Sequence, residues 1–249
     1  MSSQLNAAGD LNQEQLVEFV MDIFHRTLVH YAMWYREVGH QLGPGPQAEA
    51  DRQVFKTSLA ISMKRMAKLL GFEVDERGIP QTLKQMNKEQ LLELAQAQAI
   101  NWLANDGVWF QKVETMVDMD AAKRINDTCW TQFSPYEAES IKRFLDMGEQ
   151  SGLEGLKKAL GFRNYALINR QSIHPVDANS FIFQMNDCRV QSARKRKGLP
   201  DYPCQSAGKV EYPYFAKTID PRIKTECVGC PPGDHPEEWY CAWEFTLEP

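Results

Sequence analysis

The sequence predicts an α+β fold, N-terminal helices followed by an antiparallel sheet backed by helices. Apolar residues recur at steps of three and four as far as residue 160, the period shortens to two only beyond residue 163, and Gly or Pro interrupts the helical runs at 43–46 and 78–80. No internal repeat and no low-complexity tract is present.

The first helix spans 14–37, where Leu16, Phe19, Val20, Ile23, Phe24, Thr27, Leu28, Tyr31 and Trp34 form a wide apolar stripe that must be covered. A second, over 48–70, carries Val54, Leu59, Ile61, Met63, Met66, Leu69 and Leu70 and stops at Gly71, so the pair reads as an antiparallel hairpin. We place a domain boundary at 85, giving a helical hairpin over 1–85 and an α+β domain over 86–249. A third helix starts near Asn87, an N-cap residue, and runs to about Val117. Two further helices follow at 119–131 and 135–147, the latter with Pro135 at its first position, and a short one at 153–160 ends at Gly161.

Alternation then predicts a hairpin of strands over 163–173 and 179–189, joined by a Pro-Val-Asp-Ala-Asn turn. The run ARKRKG at 193–198 leads through Pro200 and Pro203 to a helix containing Pro213, and strands at 222–228 and 239–247 close the fold.

Among 249 residues, 28 Lys and Arg stand against 33 Asp and Glu, a formal net charge of −5. That balance argues against nucleic acid as the partner, because nonspecific affinity for it comes from neutralising phosphates with cations. No apolar run approaches a membrane span, and MSSQLNAAGD at the start is polar, so the expected compartment is the cytoplasm, with no membrane partner.

Six cysteines are present, and Cys188, Cys204, Cys227, Cys230 and Cys241 fall late in the chain, whereas Cys129 stands apart. The spacing C-x22-C-x2-C-x10-C suits a metal better than a disulfide framework: a C-x-x-C turn aims two thiolates at one ion, and two more complete a tetrahedron. Cys204, Cys227, Cys230 and Cys241 are the expected ligands of a structural Zn²⁺. An iron–sulfur cluster is the alternative cofactor, and Cys188 and His235 are the substitute ligands. Free cysteines also serve as small buried hydrophobes or redox thiols.

WLANDGVWF at 102–110 puts Trp102, Asp106, Trp109 and Phe110 on one helical face. Such a face could line a ligand pocket with Asp106 as its polar anchor, or as a general acid or base; the same stripe is also how a core looks. In the basic cluster of Arg189, Arg194, Lys195, Arg196 and Lys197, Arg189 is the residue placed to face inward and bind an anionic group. No G-x-S-x-G, H-E-x-x-H or Walker motif is present.

The segments FRNYALIN, DCRVQSARKRKGL, DYPCQSAG, FAKTIDPRIKTECVGCPP and HPEEWYCAWEFTL, together with WLANDGVWF, resemble an uncharacterised bacterial and archaeal family of unknown function. That family is similar to the L-2-amino-thiazoline-4-carboxylic acid hydrolases, which carry a comparable E-C-x-x-C stretch and a later cysteine. A more distant likeness is to the 4-vinyl reductase domain, through Cys204, Gly208, Glu226-Cys227 and Cys241 in that order. Here Cys227 stands where that domain's zinc site has an acidic ligand, and the loop before the last cysteine is longer. The resemblance implies a 4-vinyl-reductase-like C-terminal half with a four-stranded antiparallel sheet, a small-molecule pocket near the long helices, and a homodimer. The expected function is that of a zinc-stabilised small-molecule sensor or carrier, with hydrolysis of a small cyclic amide or amidine as the alternative.

Overall fold

The structure, a computed structural model, describes residues 7–196, 198 and 201–248. Lys197 of the basic run, Pro200, and residues 1–6 of the polar N-terminal stretch lie outside the described residues. The chain divides into two compact units between Gln85 and Met86.

In the first unit, α1 (Gln13–Leu42) and α2 (Pro44–Leu70) turn back on each other at Gly43, whose φ of 85° favours glycine. The Gln47 amide donates to the Tyr35 carbonyl at 2.8 Å, and Tyr31 bonds Asp51 at 3.2 Å, which fixes the pairing. Among its own neighbours α1 buries no residue: Leu28 and Trp34 stay 70% and 64% exposed. A turn beyond α2 is tied by Asp75, which accepts from the Ile79 and Arg77 amides and pairs with Lys84 at 2.7 Å, before α3 (Gln81–Gln85).

The second unit opens with α4 (Lys88–Met116), started by a reciprocal cap between Asn87 and Gln90. Then comes α5 (Met119–Phe144), a single helix running through Pro135, where two helices were expected. Proline removes one hydrogen bond from the ladder. Burial of Ser134, Glu137, Ala138 and Ile141 on the flanking turns holds the helix together across that gap. After α6 (Gly152–Leu160) the predicted first strand begins late. Asn164–Leu167 form a 3-10 turn instead, because Arg163 before it is drawn into the interior and the Asn164 amide donates to Glu137 at 2.9 Å.

The sheet comprises β1 (Arg170–Asp177), β2 (Ser180–Asp187), β3 (Ile223–Gly229) and β4 (Cys241–Leu247), in the order β1-β2-β4-β3 with every pair antiparallel. Between β2 and β3 the basic run forms a helix of its own, α7 (Arg189–Arg196), and α8 (Gln205–Ile219) follows. Phe181 and Phe183 of β2 and Trp243 and Phe245 of β4 pack with Tyr212, Phe215 and Ile219 of α8 and Leu156 and Leu160 of α6. This is the predicted α+β arrangement, a four-stranded antiparallel sheet against helices. No helix among the described residues is long and apolar enough to cross a membrane.

Candidate functional site

Within the second unit, α4, α5, α7, α8 and the C-terminal strands line a partly open cavity of about 390 Å³. From α4 it takes Ile100, Leu103, Asp106, Gly107, Phe110 and Glu114, at steps of three and four. The cavity face is thus turned by about a quarter turn from the stripe read in the sequence. Asp106 and Phe110, on the seam that both faces share, line it; Trp102 and Trp109 do not. Trp102 packs against Trp130, Phe133 and Tyr165, with centroids 6.1, 5.7 and 5.0 Å away, whereas Trp109 points outward and is 65% exposed. The wide aromatic content of this helix serves two neighbourhoods at once, which a single stripe cannot express.

Four thiols line the same cavity: Cys188, Cys204, Cys230 and Cys241. They come from the end of β2, the start of α8, the turn after β3 and the start of β4. The Cys230 thiol lies within hydrogen-bonding reach of Cys204 and Cys241, contacts that raise its pKa, with burial adding to them. Burial, reinforced by nearby Cys204, pushes the Cys188 thiol up to about 12. Cys227 does not line the cavity; its thiol is raised by burial and by Cys241, and it bonds to Gln205. His235 is engaged elsewhere, its ring nitrogens against Asp201 at 3.1 Å and the Pro236 carbonyl at 2.9 Å. Among the described residues, no three His, Cys, Asp or Glu side chains already stand in an arrangement that would hold an ion.

Gln191, fully buried on α7, fixes the approach to α8. Its amide donates to the Tyr202 carbonyl at 2.8 Å and to Cys204 Sγ at 3.1 Å, and its oxygen accepts from the Tyr202 amide at 2.8 Å. Those bonds orient Tyr202, whose ring meets Phe110 edge-on at 5.2 Å and forms part of the cavity wall.

Among the described residues, Asp106 receives one hydrogen bond, from the Asn126 amide at 3.4 Å, and burial raises its pKa. Glu211 of α8 also lines the cavity and belongs to a buried ion triad. Arg163, 1% exposed, donates from Nε to Glu137 at 2.8 Å and from Nη2 to Glu211 at 2.7 Å. Burial works against the charge on Arg163, but the two carboxylates more than offset it. Glu211 is raised by burial, with Arg163 acting in the other direction. Arg189 and Arg194 of α7 line the cavity as well, Arg189 being exposed.

Sequence reasoning missed Arg163, Gln191, Tyr202, Glu211 and Tyr212. Glu211 could have been found, because it falls with Gly208, Tyr212 and Phe215 on the apolar face of its helix. Its partner Arg163, 48 residues away, leaves no local trace.

Fold and site together define an α+β domain with a partly open, aromatic- and thiol-lined pocket. Residues 84–247 match a family of unknown function, DUF6125, and the chain belongs to that family. No curated protein and no solved structure matches the chain. The likeness to thiazoline-carboxylate hydrolases and to 4-vinyl reductase domains has no support among these comparisons.

Proposed function

We propose that the second unit is a binding domain for a small, largely apolar molecule, and that its thiols hold a zinc ion at one end of the pocket. The observation that carries this reading is the shared wall: aromatic side chains and four cysteines line one cavity of about 390 Å³, within the size range of sites for small ligands. What supports the zinc reading is that Cys230 lies within hydrogen-bonding reach of both Cys204 and Cys241; the thiols would have to close further around an ion, and Cys227, interacting with Cys241, is the candidate for the fourth position. Bound there, zinc would neutralise thiolates and link α8, the turn after β3 and β4. Phe110, Trp130, Tyr212 and Trp243 would exclude water from the ligand's apolar body, and Asp106 would orient its polar end.

Hydrolysis is less well supported. At pH 7 a Cys188 pushed up to about 12 is a neutral thiol and a poor nucleophile, and the hydrogen bond recorded for Asp106 comes from Asn126, which is no proton relay.

Gly107 gives a direct test, because a Cβ there would meet nothing within 4 Å and the residue lines the cavity. Gly107→Leu should fill the pocket and abolish saturable quenching of tryptophan fluorescence by small aromatic fragments. It should leave the melting temperature unchanged or higher, since glycine within a helix costs about 1 kcal/mol against alanine. Quenching that persists in this variant would exclude the cavity as the binding site. For the metal, protein purified without chelator should carry one zinc per chain by elemental analysis, and Cys230→Ser should lose it together with thermal stability. Metal-free protein with every thiol titratable would overturn the zinc reading.

A further inference from the structure

The charges around the cavity do not balance. In the triad two carboxylates, Glu137 and Glu211, face the single guanidinium of Arg163, a formal surplus of one negative charge in the interior. Asp106 adds another. Among the described residues no basic side chain pairs with it, and its recorded hydrogen bond, from Asn126, is 3.4 Å long. Asp106 and Glu211 line one cavity and lie close enough for the charge of Asp106 to disfavour ionisation of Glu211. Anions held partly out of water without a counter-charge are costly, and a low local dielectric enlarges their repulsion. Arg189 does little to relieve this, because it is exposed and its charge is screened by water. Arg194 also lines the cavity and its charge is felt at Tyr202, but Glu114 in the same wall offsets it in the formal count, so the surplus remains.

The same cavity is lined by Phe110, Trp130, Tyr165, Tyr202, Tyr212 and Trp243. Aromatic faces attract cations, most strongly where water is excluded. Arg163 already uses this, with its guanidinium carbon 5.5 Å from the ring centres of Tyr165 and Tyr212. We propose that the ligand of the cavity is a small organic cation, an amine on an apolar or aromatic body, whose ammonium group is held by Asp106, Glu211 and the surrounding rings. Three N–H donors on such a group match carboxylate acceptors, and its charge answers the surplus that the protein leaves uncompensated. This inference rests on the binding-domain reading and names the class of molecule bound.

The test uses the full chain at pH 7 and two matched sets of probes: 2-phenylethylamine, 2-phenylethanol and 3-phenylpropionate, then tryptamine, tryptophol and indole-3-propionate. Calorimetric titration should give at least one amine an affinity about tenfold or more above its alcohol, with the carboxylate weakest. Asp106→Asn should remove that advantage and leave the alcohol's affinity unchanged. Glu211→Gln should act likewise; because Glu211 belongs to the buried triad and its variant is at risk of not folding, Asp106→Asn decides. If in neither set the amine binds about tenfold or more above its alcohol, or if the amine preference survives Asp106→Asn, the cation inference is overturned while the pocket stands. If none of the six probes binds, the binding-domain reading falls and this inference falls with it.

Discussion

At the scale of single residues, Asp106 shows how one side chain can be both a cost and a function. Burial lifts its pKa above the ordinary 3.8, so the folded state prefers the protonated form more than the unfolded chain does. Folding stability therefore falls as pH rises from the ordinary carboxyl range through the raised folded value, and the loss is complete above it. Ligand-free Asp106→Asn should accordingly melt higher than the parent at pH 7, with the difference closing as pH is lowered towards 3.8. Thermal melts at the two pH values check this, and a variant that melts lower at pH 7 would mean that Asp106 is well paired. Asp106 and Phe110 were visible in the sequence because a carboxylate among large aromatics at helical spacing is conspicuous. The roles of Trp102 and Trp109 were not, since periodicity gives the shape of a face and not its azimuth.

Among elements, the triad joins three pieces that share no sequence neighbourhood: Glu137 on α5, Glu211 on α8, and Arg163 at the turn before β1. Removing one member of a buried ion pair leaves the others uncompensated, typically at about 3–5 kcal/mol. Arg163→Met should destabilise the domain by about that amount in urea unfolding, and adding Glu137→Gln with Glu211→Gln should recover part of it. A loss of less than about 1 kcal/mol would assign the triad no structural weight. The same grouping explains why the strand over 163–173 starts late. Alternation of apolar residues was legible there, but the demand of two distant carboxylates for a cation at 163 was not, and it bends the chain into a turn. The α5 helix departs from expectation for a related reason. Pro135 reads as a helix start by local rules, while tertiary burial on both sides carries the helix through. By contrast, the Asn87 start of α4, the Gly71 stop of α2 and strands β3 and β4 follow local signals closely, and so were predictable.

For the whole molecule, the family match begins at residue 84, and the two units divide between Gln85 and Met86. Residues 86–249 expressed alone should therefore fold, giving a cooperative melt and the same fragment binding as the full chain. An unfolded fragment by circular dichroism would show that the helical hairpin is needed for the fold. The strand order carries a consequence for how such a chain is made. β4 follows β1, β2 and β3 in sequence, yet it lies between β2 and β3 and supplies Cys241 and Trp243 to the pocket. A nascent chain that has emerged only through β3 has two sheet fragments and no central strand to join them. These non-local pairings make the closing step slow and place it last. Until β4 arrives, the cavity lacks the wall that Cys241 and Trp243 supply, so the pocket is completed only when the central strand has been made and paired.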